Sequence, residues 1–180
     1  MPQAITHILI GIILIELFRE YIIKGNSKFP RYYILIVAIG SVLPDIDMLV
    51  FYLLSFWEYT YEQIHGTFTH SLWFPIIFLG IGLLFKYNNF NLKFVSKKHL
   101  KLSSIFFILS LMSLLHITLD LLVYNVIYPF YPIKYFPLGF NLINYFPENI
   151  KEHIFPTIDG ILLLFWILWM EFKLKISRYF

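Results

Sequence analysis

Histidine and aspartate residues recur in this sequence at spacings that could build a metal-binding site. The chain contains 6 histidines and no cysteine, so such a site would use nitrogen and oxygen ligands without thiolates. His116 and Asp120, for example, are four residues apart and therefore share one face of a helix. These residue types suit a divalent metal ion, and zinc in particular. The ligand candidates are His7, Asp45, Asp47, His65, His70, His116 and Asp120.

The segment Leu43-Pro44-Asp45-Ile46-Asp47 places two carboxylates around a proline. The proline ring removes a backbone N–H and disfavours helix in the preceding residue, so we expect the helix to break there. A non-helical turn at this position can direct both carboxylates inward, towards the other polar residues. The alternative is that the two aspartates only cap a helix that begins after the proline.

A second segment, 65–71, carries two histidines among small polar residues. His65 and His70 are five residues apart, so bringing both to one point requires a turn, which Gly66 makes easier. Thr69 and Ser71 are expected to cap the helix that follows. The segment therefore predicts two ligands delivered by one tight loop.

Some of the carboxylates have more than one expected role. Asp159 opens the last apolar stretch, and we expect it to act as a catalytic base or to orient a metal ligand. Asp47 is a catalytic candidate as well as a ligand candidate. Asp120 could bind the metal itself, or it could orient His116, and a polar pair between helices without any metal is the simplest alternative for those two residues.

The composition indicates that these polar residues belong to a membrane protein. Hydrophobic residues make up 59% of the 180 residues and charged residues 14%, and the mean hydropathy is +0.72. A water-soluble domain of this length could not bury so much apolar surface. We therefore predict one domain, 1–180, that is an all-α integral membrane bundle of about five spans. The apolar stretches are 4–23, 32–54, 70–87, 102–127 and 157–172.

The basic residues predict how the spans are oriented. Of the 14 lysines and arginines, 12 lie in alternate connections or near residue 180, and Lys134 and Lys151 lie on the other side. Because basic residues concentrate on the cytoplasmic side, we expect the N-terminus outside and the C-terminus in the cytoplasm of the cell membrane. The histidines and aspartates of the candidate site then fall towards the outer face. This topology accounts for the net charge of +3, so no nucleic-acid partner is expected.

The longest connection, about 128–156, is rich in Tyr, Phe, Pro and Asn. Aromatic residues favour the headgroup level of a bilayer. We therefore expect an ordered loop at the membrane interface, on the same side as the candidate site.

The order of these motifs resembles the YdjM-like family of membrane-bound metal-dependent hydrolases. The resemblance covers about residues 1–140 and rests on His7, Pro-Asp-x-Asp at 44–47, Phe-Thr-His-Ser at 68–71 and His-x-x-x-Asp at 116–120. It implies a hydrolase similar to helical zinc phosphoesterases of the phospholipase C and P1 nuclease kind. Family members have His-Arg-Gly before Phe-Thr-His-Ser, whereas Gly66 and Thr67 follow His65 here, which removes a possible clamp for a phosphate.

The resemblance implies hydrolysis of a phosphoester, with a zinc ion lowering the pKa of a bound water. A site near the outer leaflet suits a lipid or another amphiphilic phosphoester, with the lipid bilayer as the surrounding partner. Two alternatives remain open at this point: a transporter or channel that moves protons or metal ions, and a non-catalytic structural protein with a buried His/Asp network. The cytoplasmic halves of the spans are almost all Ile, Leu and Phe, which favours a one-sided site over a pathway.

Overall fold

The computed structural model describes residues 4–24, 29–88, 101–123 and 126–175. The described residues contain no β-strand, and an isolated antiparallel bridge joins Ile127 to Leu138. Each of the five predicted apolar stretches holds a helix. The helices are α1 (Ala4–Leu17), α2 (Tyr33–Val42), α3 (Asp47–Leu54), α4 (Tyr61–Ile64), α5 (Trp73–Tyr87), α6 (Leu102–Val123) and α7 (Glu148–Leu174). Five basic residues used for the predicted orientation lie outside the described residues: Lys28, Lys93, Lys97, Lys98 and Arg178.

Three helical segments are long and apolar enough to cross a membrane, namely Tyr33–Leu54, Leu102–Val123 and Glu148–Lys173. Trp73–Tyr87 is a shorter apolar helix. These helices leave many large apolar side chains exposed. A bilayer can cover such a surface, because a helix satisfies its own backbone hydrogen bonds within lipid. The predicted all-α membrane bundle is confirmed, with three of its expected spans at full length.

The helices pack so that α1 lies against α2 and α7, and α6 lies against α2 and α5. Close approach of α2 and α6 depends on Gly40, where a Cβ atom would lie 2.9 Å from the Cβ of Met112. An apolar core lies between α1, α2 and α6. Its buried members are Ile12, Ile15, Tyr33, Val37, Ile108 and Met112.

The predicted break at Pro44 is present. Helix α2 ends at Val42, a 3-10 turn covers Leu43–Ile46, and α3 begins at Asp47. The 3-10 turn winds more tightly than an α-helix, so it changes the direction in which successive side chains project. The break therefore redirects two carboxylates without ending the span.

The connection after α6 is shorter than the sequence predicted. The prediction ran this loop to residue 156, whereas α7 begins at Glu148, directly after Pro147, and contains Pro156. Glu148 lies in the first turn, where a negative charge is favourable beside the free N–H groups. The helix continues through Pro156.

The two ends of the bundle differ in chemistry. At the end of α1 that is distant from His7, Arg19 pairs with Glu16 at 3.3 Å. At the same end, Lys173 near the end of α7 pairs with Glu20 at 2.9 Å. These two ion pairs of basic residues occupy one end. The histidines and aspartates of the candidate site occupy the other end, where the start of α7 carries the pair Lys151–Glu148.

Candidate metal centre

The structure brings all seven ligand candidates into one cluster at one end of the bundle. His7 comes from α1, the two aspartates 45 and 47 from the proline break, the two histidines 65 and 70 from the loop before α5, and the pair 116 and 120 from α6. Six of the seven side chains are buried, His70 and His116 almost completely. Asp45 is the most accessible member, with 24% of its side chain exposed.

Two groups of possible ligand atoms in this cluster are compact enough to hold a metal ion. Within each group the atoms all lie within 4.8 Å of one another. The first group is formed by Asp45, His65, His70 and Asp120, and the second by His7, His116 and Asp120. Asp120 belongs to both groups.

Hydrogen bonds at Nδ1 fix three of the imidazole rings. Nδ1 of His116 lies 2.6 Å from the carbonyl oxygen of Ser41. Nδ1 of His65 and Nδ1 of His70 each lie 3.1 Å from a carboxylate oxygen of Asp47, and Nδ1 of His70 also lies 3.2 Å from the hydroxyl oxygen of Thr69. Carbonyl and carboxylate oxygens only accept hydrogen bonds, so Nδ1 carries the proton in a neutral ring and Nε2 keeps a free lone pair.

The three Nε2 atoms of these rings are buried and have no hydrogen-bond partner among the described residues. An unpaired buried polar atom costs about 1–3 kcal/mol. Nε2 of His70 lies 3.4 Å from Oδ2 of Asp120 and 3.6 Å from Oδ1 of Asp45. Nε2 of His116 lies 3.4 and 3.3 Å from the same two oxygens. Lone pairs therefore face carboxylate oxygens, an arrangement that a cation between them would stabilise.

Asp47 lies behind two of the histidines and outside both groups of ligand atoms. Its Oδ1 faces His65 and its Oδ2 faces His70. Oδ2 also accepts a hydrogen bond from the hydroxyl of Thr69 at 3.0 Å. Metal-binding histidines commonly donate their other N–H to such a carboxylate, which orients the ring. The position of Asp47 suits this orienting role.

The expectation that Thr69 and Ser71 cap α5 is wrong. Leu72 is the N-cap residue, and no side chain caps the helix. The hydroxyl of Thr69 is engaged by Asp47, and that of Ser71 donates to the carbonyl oxygen of Phe68 at 2.7 Å. Both hydroxyls therefore stabilise the histidine loop itself.

Two backbone hydrogen bonds brace the turn between the two histidines of this loop. The N–H of Tyr128 donates to the carbonyl oxygen of Gly66 at 3.1 Å, and the N–H of Leu72 donates to that of Pro129 at 2.9 Å. Gly66 has φ +78°, a left-handed conformation that glycine adopts at little cost. The turn predicted at Gly66 is therefore confirmed, and the connection after α6 holds it in place.

Asp159 contacts the edge of the cluster. It is buried on α7 and accepts a hydrogen bond from the hydroxyl of Thr6, the residue before His7. Its Oδ2 has no hydrogen-bond partner among the described residues. Neither group of ligand atoms that the described residues form includes Asp159.

Two contacts of the cluster were not predicted from the sequence. One is the Ser41 carbonyl on His116, which no residue type could reveal because every residue has a carbonyl. The other is Tyr61, whose ring stacks on His65 with centroids 4.7 Å apart. The i, i+4 spacing of those two residues was a usable signal. Burial and the carboxylates of the cluster raise the pKa of Tyr61 above its ordinary value, which reflects the concentration of negative charge nearby.

An apolar layer separates the cluster from the basic end of the bundle. Ile12, Val37, Ile108 and Met112 are buried together in this layer. Asp45 has the largest exposed fraction in the cluster, 24% of its side chain. The cluster is therefore partly accessible at Asp45 and borders a buried, mainly apolar core on the side of the basic end.

Comparison with known proteins gives one family. A family model described as YdjM inner membrane protein matches residues 1–177. No curated protein and no solved structure matches the chain. The matched range includes every helix and loop that contributes a side chain to the cluster.

Proposed function

The chain belongs to the YdjM inner membrane protein family, and from this premise we propose that it is a membrane-embedded metal-dependent hydrolase. The proposed substrate is a phosphoester in a lipid or another amphiphile, and the proposed metal is zinc. One observation carries the proposal: the buried Nε2 atoms of His65, His70 and His116 lack hydrogen-bond partners among the described residues. Carboxylate oxygens lie within 3.6 Å of two of them.

The charges of the cluster support a divalent cation. Asp45, Asp47 and Asp120 are three carboxylates that meet at the end of a membrane bundle, with no lysine or arginine among the ion pairs they form in the described residues. Carboxylates at membrane depth are expensive unless they are paired. A divalent cation would compensate this charge and would bind the free nitrogen lone pairs at the same time.

A bound zinc ion would supply Lewis-acid chemistry, because it lowers the pKa of water and stabilises negative charge on a phosphoryl oxygen. The residues of the chain hold and orient the site. Asp47 fixes the rings of His65 and His70, and the Ser41 carbonyl fixes His116. Asp159, which Thr6 holds at the edge of the cluster, is the proposed base or orienting carboxylate.

The position of the cluster supports an amphiphilic substrate. Asp45 and Asp47 lie within the candidate span Tyr33–Leu54, and Asp120 lies within Leu102–Val123. A molecule that reaches these residues must tolerate the apolar part of the bilayer. This requirement favours a lipid phosphoester over a small water-soluble one.

An apolar cavity of about 240 Å³ lies next to the cluster. Its lining includes Thr6, Leu119 and Ile158, the sequence neighbours of His7, Asp120 and Asp159. The remaining lining is also apolar, so the cavity suits a hydrocarbon chain rather than a polar head. Its place beside the cluster supports an amphiphilic substrate, with a polar head at the cluster and a hydrocarbon chain in the cavity.

The apolar layer weakens the transport alternative. A proton or metal ion that left the cluster towards the basic end would have to pass Ile12, Val37 and Met112, which are buried side by side. Pathways through membrane proteins are lined by polar groups or water. A one-sided catalytic site fits the described residues better than a conduit.

Hydrolysis by the purified protein tests the proposal. The protein in detergent or lipid nanodiscs is assayed on vesicles that contain a phosphomonoester lipid or a phosphodiester lipid, before and after a zinc chelator. We expect hydrolysis that the chelator abolishes and added zinc restores. The variant His70→Ala should be inactive, whereas His153→Ala, which replaces an exposed histidine of α7, should keep its activity. Full zinc occupancy without hydrolysis of either lipid class would overturn the enzymatic proposal.

A further inference from the structure

Asp120 presents its two carboxylate oxygens to different histidines. Oδ1 lies 3.3 Å from Nε2 of His7. Oδ2 lies 3.4 Å from Nε2 of His70 and 3.4 Å from Nε2 of His116. A carboxylate in this position can bind one cation through each oxygen. Asp120 is also the residue common to both compact groups of ligand atoms.

The donor atoms of the cluster exceed what one zinc ion binds. They are a ring nitrogen of each of four histidines, Oδ1 of Asp45 and both carboxylate oxygens of Asp120. Zinc in proteins is usually four-coordinate, with ligands about 2.0–2.2 Å away. A single ion would leave several of these atoms buried without a partner.

The spacing of the donor atoms fits coordination. Two ligands of a tetrahedral zinc ion lie about 3.4 Å apart when each is about 2.1 Å from the metal. The nitrogen-to-oxygen distances from Asp120 to His7, His70 and His116, and from Asp45 to His70, range from 3.3 to 3.6 Å. The side chains therefore already lie at the separations that ligands of a shared ion adopt.

We infer that the cluster holds two divalent cations bridged by Asp120, one bound by Asp45, His65 and His70 and the other by His7 and His116. This inference rests on the proposed metal-dependent function and specifies the centre that performs it. In two-metal sites the ions together stabilise the attacking and the leaving oxygen of a phosphoester. The bridging carboxylate accounts for the placement of His7, which comes from a different helix than every other ligand.

The two sites differ in the number of protein ligands. The first has four ligand residues, which fill a tetrahedral shell, and the second has three. The second site thus keeps an open position for water or substrate, as catalytic zinc sites do. The rings of His7 and His116 stack with centroids 3.9 Å apart, so both nitrogens approach this second site from one side. We expect the four-ligand site to bind zinc more tightly.

Zinc stoichiometry of the full-length protein tests this inference. The purified protein is equilibrated with zinc, separated from free metal and analysed for zinc per chain. We expect two ions in the unmodified chain and in the His153→Ala control. We expect one ion in His7→Ala, which keeps the tighter site, and one ion of weaker affinity in the double variant His65→Ala, His70→Ala, which leaves two ligand residues at the first site. Titration against a competing chelator should resolve two steps in the unmodified chain and a single step in each of these variants.

The number of zinc ions bound by the unmodified chain distinguishes failure of this inference from failure of the proposed function. This measurement does not depend on whether any variant folds. One zinc ion per chain, bound in a single step, would overturn the two-cation centre and leave the metal-dependent function standing. No bound zinc would overturn both. Two ions that remain in His7→Ala and in the double variant His65→Ala, His70→Ala would overturn the assignment of ligands.

Discussion

Nδ1 of His70 lies 3.1 Å from Oδ2 of Asp47. The other oxygen of the same carboxylate lies 3.1 Å from Nδ1 of His65. One side chain at the start of α3 therefore sets the orientation of two histidines that belong to a different part of the chain. This shared partner explains how a loop can deliver two rings to one point with their Nε2 atoms directed inward.

Replacing Asp47 should weaken metal binding without removing a ligand. In Asp47→Asn, one oxygen becomes an NH₂ group that cannot accept the N–H of a histidine, so one ring loses its orientation. We expect the apparent Kd for zinc to rise by about 10–100-fold, measured by competition with a chromophoric chelator. Glu58→Gln makes the same chemical change at an exposed residue and should leave the Kd unchanged. Equal affinities in Asp47→Asn and the unmodified chain would show that Asp47 does not position the ligands.

The turn at Gly66 should be sensitive to any side chain. An alanine there must adopt φ +78°, and its Cβ would lie 3.3 Å from the carbonyl oxygen of Val126. We expect Gly66→Ala to lower the free energy of unfolding by about 1–2 kcal/mol and to weaken zinc binding. The matched control is Gly80→Ala in α5, where a Cβ meets open space; it should stabilise by about 0.5–1 kcal/mol. Thermal unfolding in detergent checks both, and equal midpoints would contradict the account of the turn.

The orientation predicted from the basic residues can be tested with one matched pair of positions. The chain has no cysteine, so each introduced cysteine is unique. Tyr145 and Tyr87 are 83% and 87% exposed and lie on opposite connections. In intact cells, an impermeant thiol reagent should label Tyr145→Cys and not Tyr87→Cys, and it should label both after permeabilisation. Labelling of Tyr87→Cys alone in intact cells would place the cluster on the cytoplasmic side.

Much of the fold could be predicted because few backbone structures can satisfy their hydrogen bonds within a bilayer. Long apolar stretches are expected to form helices in a bilayer, and the proline signal predicted the break that the structure shows at Pro44. The predicted start of the last helix was wrong, because the loop was expected to run to residue 156, whereas α7 begins at Glu148 and continues through Pro156. A proline in the sequence does not by itself indicate whether packing against neighbouring helices keeps the helix continuous at that residue.

The ligand candidates could be found because ionisable residues are rare within apolar stretches and therefore stand out. The sequence did not indicate which of these residues would bind the metal and which would orient a ligand. Asp45 and Asp47 have the same chemistry and lie two residues apart, so the geometry of the 3-10 turn decides which carboxylate faces the metal side and which supports the histidines. Backbone partners such as the Ser41 carbonyl leave no trace in residue types.

The metal content of two aspartate variants tests the central claim most directly. Asp120 joins both groups of ligand atoms, whereas Asp159 is similarly buried on a helix and belongs to neither. After equilibration with zinc and removal of free metal, we expect the unmodified chain and Asp159→Ala to retain zinc and Asp120→Ala to retain less, because only two ligand residues remain in the group of His7 and His116. An unmodified chain without zinc, or an Asp120→Ala variant that holds as much zinc as Asp159→Ala, would contradict the metal centre.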